Sequence, residues 1–145
     1  MSLLLKDKIA VITGCNRGIG RATLELFAMN GADIWACIRK ENNDFKKYIN
    51  KISKEYKVNI WPIYFDLSNT EEINEALKKI ISSKKSIDIL INNAGIIHTA
   101  LFQMTPLEKM KEIFDINFFS SSIIIQNISR QMIRQRSGSI INISS

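Results

Sequence analysis

Several residue types are scarce in this chain of 145 residues, and each scarcity excludes a class of protein. Two cysteines (Cys15 and Cys37) and one histidine (His98) are too few for a disulfide framework or a zinc site. With 6 glycines, 2 prolines and 46% hydrophobic residues, the chain is neither collagen-like nor disordered. No apolar run approaches the roughly 18 residues of a membrane span, and residues 3–5 are too few for a secretory signal. We therefore expect one globular, cytoplasmic domain without a metal and with reduced thiols.

The charge of the chain is moderately basic. The net charge is +6, from 20 Lys and Arg against 14 Asp and Glu, which favours anionic partners in general. The lysines within residues 46–57 and 78–85 fall on stretches of helical periodicity, where a solvated face explains them. No basic patch interleaved with aromatic residues accompanies the charge. We expect neither a nucleic acid nor a membrane as partner, and a basic interaction module is kept only as a third hypothesis.

Short apolar runs alternate along the chain with longer amphipathic runs, a pattern typical of βαβ units around a parallel sheet. The strands are mostly apolar throughout, as expected when helices cover both faces of a sheet. Gly31 is placed to end the first helix in a left-handed turn. The apolar runs predict strands at 9–13, 34–38, 60–65, 87–91 and 139–143. The amphipathic runs predict helices at 18–30, 44–56, 68–82 and 105–136.

The last two predicted helices begin with capping patterns. Ser68 followed three residues later by Glu71 predicts a capping box on the third helix. Thr105 precedes Pro106 and Glu108 in the same way on the fourth helix. Apolar residues crowd the stretch 118–128 and leave this helix few polar faces. We expect it to be covered on more than one side, in part by another chain or by sequence not present here.

A glycine-rich turn separates the first strand from the first helix, with the sequence Thr13, Gly14, Cys15, Asn16, Arg17, Gly18, Ile19, Gly20. The glycines suit a tight turn at Gly14, approach of the backbone to a pyrophosphate at Gly18, and close helix packing at Gly20. Free amides at the helix start would face the anion, and the helix dipole favours negative charge there. The turn predicts a dinucleotide site, with a structural turn that binds nothing as the alternative.

The end of the second strand favours NADP over NAD. Sites that bind a free ribose 2′-hydroxyl usually carry an acidic residue there, but this chain has Ile38. Arg39 and Lys40 follow it, and Arg17 lies in the glycine turn, so two guanidinium groups would converge on a 2′-phosphate. Ordinary surface cations are the alternative, because Glu41 lies only three residues beyond Ile38.

The glycine turn, together with Asn92-Asn93-Ala94-Gly95 after the fourth strand, resembles the short-chain dehydrogenase/reductase family. Asp66-Leu67, Asn117 and residues 141–145 match in family order, so the resemblance covers the whole chain. It implies an α/β fold of the Rossmann type, a doubly wound parallel sheet with strand order 3-2-1-4-5. We expect one NAD(P)-binding domain over residues 1–145, with the family's later strands missing.

The resemblance also implies which residues bind the cofactor. Asp66 would accept a hydrogen bond from the adenine amino group beside the Leu67 backbone, and Asn92 would tie the central strands together. Read from the residues alone, Asp66-Leu67 could be a helix-capping loop and Asn-Asn-Ala-Gly a turn. The expected cofactor-binding set is Thr13, Gly14, Asn16, Arg17, Gly18, Ile19, Gly20, Arg39, Asp66, Leu67, Asn93, Ala94 and Gly95.

The family's chemistry is hydride transfer between nicotinamide and a carbonyl or alcohol carbon, with an Asn, Ser, Tyr and Lys set managing the proton. Asn117 matches the asparagine, whose local break in the helix holds a water, and Ser145 matches the serine that hydrogen-bonds the substrate oxygen. Adjacent Ser144 is the competing choice. The family's Tyr-x-x-x-Lys would follow that serine by about a dozen residues and is not in this sequence. We therefore expect a truncated form with little or no activity alone.

The expected function is that of an NADP-dependent oxidoreductase resembling the members that reduce 3-oxoacyl or related carbonyl substrates. Its substrate would be a small-molecule carbonyl or alcohol, and the full-length form would be a homo-oligomer, a dimer or a tetramer. A catalytically inactive NADP-binding remnant is the alternative.

Overall fold

A computed structural model describes residues 3–144, so Ser145, one of the two expected catalytic residues, lies outside the described residues. Strands and helices alternate through the first two thirds of the chain. In order they are β1 (Ile9–Thr13), α1 (Gly18–Met29), β2 (Asp33–Ile38), α2 (Asn43–Tyr56), β3 (Ile60–Tyr64), α3 (Thr70–Ser82), β4 (Ile89–Asn92), a short 3₁₀ turn (Phe102–Met104), α4 (Leu107–Phe114), a π-helical turn (Asp115–Ser120, the π-turn), α5 (Ser121–Gln135) and β5 (Ser139–Asn142).

The five strands form one parallel sheet in the order β3-β2-β1-β4-β5. Val11 in the centre of β1 pairs with Trp35 of β2 on one side and with Leu90 of β4 on the other. This arrangement confirms the doubly wound, Rossmann-type α/β fold expected from the sequence. Strand order reverses between β1 and β4, and ligands of open α/β sheets bind at such a switch point, beyond the carboxyl ends of the strands.

Two apolar layers cover the sheet, one on each face. Ile12 points to the layer formed with α1 and α2, where it meets Leu24 and Phe45. Val11, its neighbour in β1, points to the opposite layer formed with α3 and α5. Because both faces are covered, β1 is apolar up to its last residue, Thr13, whose hydroxyl is buried but hydrogen-bonded. Full burial of each large aliphatic side chain contributes about 1.5–3 kcal/mol to folding.

The cap of α3 differs from the sequence prediction by one residue. Asn69, not Ser68, precedes the helix, and its side-chain oxygen accepts from the backbone N–H groups of Glu71 and Glu72 at 3.1 and 3.2 Å. The Ser68 hydroxyl instead donates to the Asp66 carboxylate at 2.8 Å. Glu72, not Glu71, reaches back and accepts from the Asp66 N–H. The prediction was wrong because Asp66 competes for the Ser68 side chain.

The predicted fourth helix is in fact two helices joined by the π-turn. The prediction that it starts at Thr105 was wrong, since α4 begins at Leu107 with Pro106 as its N-terminal flank. The Thr105 hydroxyl donates to the Leu101 carbonyl at 3.2 Å and therefore caps nothing. On the outward face of the π-turn, the Phe118 and Phe119 side chains are more than half exposed, so within residues 3–144 this face is covered by no other element.

Two kinds of feature are absent from the described residues, a membrane span and a metal cluster. No helix there combines the length and the apolar character needed to cross a membrane. No group of three or more His, Cys, Asp or Glu side chains in residues 3–144 is placed to hold a metal ion.

Candidate cofactor-binding site

A cavity of about 610 Å³ opens at the switch point, at the carboxyl ends of β1 to β4. Every residue of the expected cofactor-binding set lines it except Gly20, which lies behind the turn. The structure thus brings together four segments that are far apart in the sequence: the glycine turn, the end of β2, the loop after β3 and the loop after β4. Residues outside that expected set also line it, namely Cys37, Ile38, Phe65, Ser68, Ile96, Glu112 and Ile116.

The glycine turn leaves bare backbone facing this cavity. A Cβ at Gly20 would lie 2.2 Å from the Gly14 carbonyl oxygen, so only glycine allows α1 to pack this closely on the turn. At Gly18, where φ is +57°, no atom lies within 4 Å of the position that a Cβ would take. Helix α1 starts at Gly18 with no acidic residue in its first turn. The first N–H groups of a helix have no partner inside the helix, so an anion can bind here.

A hydrogen-bond cluster around Thr13 joins the glycine turn to the loop after β4. The buried Thr13 hydroxyl accepts from the backbone N–H groups of Asn93 and Ala94, at 3.0 Å each. The Asn93 side-chain amide donates to the Thr13 carbonyl at 3.0 Å. Next to this cluster, the Asn92 amide donates to Asn142 at 2.9 Å and links β4 to β5. These contacts hold two walls of the cavity in a fixed position relative to each other.

Asp66 and Arg39 form an ion pair at the other end of the cavity. The Arg39 guanidinium donates to one oxygen of the Asp66 carboxylate at 2.6 Å. The other oxygen accepts from the backbone N–H and the hydroxyl of Ser68 at 2.9 and 2.8 Å. Burial alone would raise the pKa of Asp66, but the Ser68 hydrogen bonds and Arg39 together lower it. The Arg39 side chain is 72% exposed, and Ile38 beside it is buried.

Asn117 holds the loop after β4 in place from the π-turn. Its side-chain oxygen accepts from the Ile96 N–H and its side-chain amide donates to the Ile96 carbonyl, both at 2.8 Å. Asn117 does not itself line the cavity, but Ile96 and Ile116 do. The π-turn is a local break in the helix at Asn117, where the resemblance to the family implies one.

The two cysteines are buried and unpaired. Burial raises the pKa of the Cys37 thiol to about 12. Burial, and to a smaller extent the neighbouring Cys37, raises the pKa of Cys15 well above its ordinary value. A thiol must ionise to act as a nucleophile. Near neutral pH neither cysteine offers a nucleophile, although Cys37 lines the cavity.

Few sequence patterns point to the lining residues outside the expected cofactor-binding set. Glu112 and Ile116 come from α4 and the π-turn, and no motif marks either of them. Ile96 follows the Asn-Asn-Ala-Gly segment directly, so its place in the cavity is predictable from that motif alone. Ser68 was singled out as a helix cap, and its contact with Asp66 shows a different role.

The family model described as short chain dehydrogenase matches residues 8–145 of this chain. The chain therefore belongs to the short-chain dehydrogenase family. It is 35% identical over 145 residues to the 3-oxoacyl-(acyl-carrier-protein) reductase FabG of Aquifex aeolicus (strain VF5), covering 100% of this chain and 58% of that protein. It is 34% identical over 142 residues to FabG of Thermotoga maritima, covering 97% and 56% of the two chains.

Solved structures of the same family resemble this chain closely. L-sorbose reductase from Gluconobacter frateurii, complexed with NADPH and L-sorbose, superposes with a TM-score of 0.89 at 25% identity, over 98% of this chain and 54% of that one. The bulky-bulky ketone specific alcohol dehydrogenase from Comamonas testosteroni gives a TM-score of 0.86 at 26% identity, over 95% and 55% of the two chains. The chain spans little more than half the length of these relatives.

Proposed function

We propose that this chain forms the cofactor-binding part of an NADP-dependent oxidoreductase that exchanges a hydride with a carbonyl or alcohol substrate. One observation carries the proposal: the bare backbone at Gly18 opens into a cavity that is also lined by Arg17 and Arg39. A backbone without side chains and two cations suit the pyrophosphate and the 2′-phosphate of NADP. The family membership and the NADPH complex of the sorbose reductase support the same conclusion.

The residues around the cavity fit a dinucleotide along its whole length. The glycine turn would hold the pyrophosphate with the first amides of α1. Asp66 and the Leu67 backbone would meet the adenine, on the side of the cavity formed by the loop after β3. Asn93, Ala94 and Gly95 would line the nicotinamide side. When bound, the reduced nicotinamide would give a hydride to a carbonyl carbon, and the oxidised nicotinamide would take one from an alcohol carbon.

The end of β2 supports NADP as the preferred form. Ile38 occupies the position where an acidic side chain would bind a free 2′-hydroxyl and repel a phosphate. Arg39 lies directly after it and is mostly exposed, so its guanidinium can turn from Asp66 toward a phosphate. Arg17 approaches from the glycine turn. A guanidinium binds a phosphate with two parallel hydrogen bonds, which a lysine cannot do.

The proton-handling roles fall to Asn117 and Ser145 in this proposal. Asn117 lies in the π-turn, where the interrupted helix provides a place for a water in the proton relay. Ser145 would hydrogen-bond the substrate oxygen. The FabG relatives make a 3-oxoacyl thioester the first substrate to test, and the ketone and sugar reductases of similar structure make small ketones the second.

Cofactor binding tests the first half of this proposal. We expect the chain to bind NADPH at least roughly tenfold more tightly than NADH, because a charge-assisted hydrogen bond contributes about 1.5–3 kcal/mol. Arg39→Ala should remove most of that preference and leave NADH binding unchanged. Lys40→Ala is the matched control, since Lys40 is not among the described residues that line the cavity. Nicotinamide fluorescence titration measures the affinity of the three chains for the two cofactors, and equal affinity of the unaltered chain for NADPH and NADH would contradict the NADP preference.

Turnover of substrate tests the second half of the proposal, the exchange of a hydride. NADPH oxidation should be measured with a 3-oxoacyl thioester and with a small ketone, on the protein produced from its complete reading frame. We expect the thioester to be the better substrate, and Asn117→Ala to lower kcat by roughly 10² or more because the proton relay is lost. Binding of NADPH without turnover of either substrate would favour the inactive NADP-binding alternative.

A further inference from the structure

Ser120, the last residue of the π-turn, makes a contact that the proposed function does not use. Its side chain is polar and yet only 5% exposed. The hydroxyl oxygen lies 2.6 Å from the Leu67 carbonyl oxygen and 2.7 Å from the Asp115 carbonyl oxygen. Both distances fall within the ordinary range for a hydrogen bond between a hydroxyl and a carbonyl. A buried serine with two carbonyl oxygens this close is held in one position.

These two carbonyl oxygens share one proton. A serine hydroxyl has a single hydrogen to donate, so it must bond to one carbonyl at a time or divide its bond between them. Asp115 lies five residues earlier, in the same π-turn, and this contact is local. Leu67 lies 53 residues earlier, in the loop after β3. The Ser120 hydroxyl therefore joins two segments that the backbone brings together only through the folded sheet.

The two joined segments are both walls of the cavity. On one side, Leu67 and its neighbour Asp66 line the end where the adenine would bind. On the other side, the π-turn supplies Ile116 to the cavity lining, and its Asn117 holds Ile96 with two hydrogen bonds. A shift of the loop after β3 relative to the π-turn changes the width of the cavity between them. The Ser120 hydroxyl donates a direct hydrogen bond from the π-turn to the loop after β3.

We propose that Ser120 is a positioning residue for cofactor binding: its hydroxyl sets the distance between the adenine-side loop at Leu67 and the π-turn that carries Asn117. The inference rests on the proposed cofactor site and deepens it. Removing the hydroxyl takes the Ser120 donor away from the Leu67 carbonyl in a part-buried place, which favours movement of the two walls away from each other toward water. Ser120 itself does not touch the cavity, so it acts through the segments that it joins.

The test compares Ser120→Ala with Ser122→Ala. Ser122 lies one position into α5, and its hydroxyl donates to the Phe118 carbonyl of the same helical segment at 2.8 Å. Each change removes one serine hydroxyl, and the two serines lie two residues apart. Only Ser120→Ala breaks a contact between the π-turn and the loop after β3. We expect Ser120→Ala to weaken NADPH binding roughly tenfold and to speed amide exchange at Ile96 several-fold, and Ser122→Ala to do neither.

Two readouts separate this inference from the proposed function. If the unaltered chain does not bind NADPH, the proposed function fails, and amide exchange at Ile96 alone decides about Ser120. Affinity is measured at a temperature where circular dichroism shows each variant folded, so that a loss of folded protein does not imitate a loss of affinity. A Ser120→Ala chain that melts earlier but binds NADPH and exchanges Ile96 like the unaltered chain would overturn the inference.

A second variant covers the case in which Ser120→Ala does not fold. Ser120→Cys replaces the hydroxyl with a somewhat larger thiol that retains a weak S–H donor. We expect it to fold and to show smaller changes of the same sign in NADPH affinity and Ile96 exchange. A Ser120→Cys chain with the same NADPH affinity and the same Ile96 exchange as the unaltered chain would overturn the positioning role.

Discussion

Single atoms decide how closely the walls of the cavity approach each other. A Cβ at Gly95 would lie 2.9 Å from the side-chain oxygen of Asn117. That oxygen accepts the hydrogen bond of the Ile96 N–H, and the amide nitrogen donates to the Ile96 carbonyl. Gly95 is therefore needed because of Asn117, and not because of its own backbone conformation. The Asn-Asn-Ala-Gly segment ends in glycine for a reason that lies 22 residues further along the chain.

Substitution Gly95→Ala tests this contact. The Asn117 amide can move away from a new methyl group only by losing its two hydrogen bonds to Ile96, so we expect a loss of about 1–3 kcal/mol in the free energy of unfolding. Urea denaturation measures it. Ile97→Ala is the control in the same loop, because the Ile97 side chain is 84% exposed and should change stability by less than about 0.5 kcal/mol. Equal values for the two variants would contradict the explanation.

The Asp66 carboxylate predicts a pH dependence of stability. Because its pKa in the folded chain is lower than the ordinary 3.8, ionised Asp66 stabilises the folded chain above that value. The contribution is lost as the pH falls from about 4 through the lowered pKa. We expect the free energy of unfolding to fall more steeply below about pH 4 in the unaltered chain than in Asp66→Asn. All other carboxyl groups are common to both chains, and equal slopes in urea titrations would show that Asp66 is not coupled to folding.

At the scale of elements, side chains compete for the same backbone groups. Ser68 and Asn69 are both good capping residues, and the sequence alone does not say which one precedes α3. The structure selects Asn69 because the Ser68 N–H and hydroxyl are both bound to Asp66. A similar competition places the start of α4 after Pro106, since Leu101 engages the Thr105 hydroxyl. In both cases a side-chain contact in the preceding loop changes where a helix begins.

Capping variants distinguish the two assignments for α3. Asn69→Ala should lower the free energy of unfolding by about 1 kcal/mol, because two backbone N–H groups lose their acceptor. Asn69→Ser retains a capping oxygen and should restore most of the loss. Thermal and urea unfolding measure both. If Ser68→Ala costs as much as a lost cap while Asn69→Ala is neutral, the assignment made from the sequence would be the correct one.

At the scale of the whole molecule, the sheet has two edges, and β5 forms one of them. The four residues of β5 are exposed, among them Ile141 at 49%. Within residues 3–144 no strand pairs with the outer side of β5. An exposed apolar edge strand offers unpaired N–H and C=O groups to another chain. The outer edge of β5 is therefore a place where one chain can associate with another.

We expect the 145-residue chain to self-associate with rising concentration through this edge. Ile141→Lys should reduce the association, because a lysine on an edge strand opposes pairing with a second strand. Analytical ultracentrifugation over a concentration series measures it. Ile97→Lys adds the same charge at an exposed loop position and serves as the control. An equal reduction by both variants would mean that net charge, and not the β5 edge, governs the association.

The sequence by itself determined the strands, the first three helices, the glycine turn and most of the cavity lining. These features depend on local patterns: apolar runs for β1 to β5, the helical period for α1 to α3, and glycines where a backbone must pass close to another atom. Boundaries agree within a residue or two for most elements, because the apolar stretch that forms a strand is also the stretch that is buried. The strand order, and the expectation that the loops after the strands meet at one site, were predicted from the resemblance to the family.

Only the tertiary structure decided the contacts between distant segments. Arg39 pairs with Asp66, Asn117 binds Ile96, and Ser120 reaches Leu67. Each contact depends on how helices and loops are placed on the sheet, and no periodicity in the sequence encodes that placement. The caps of α3 and α4 follow the same rule, since the deciding partners lie in neighbouring loops. Local patterns set the elements because backbone preferences act over a few residues, whereas the fine geometry of the cavity depends on packing across the whole molecule.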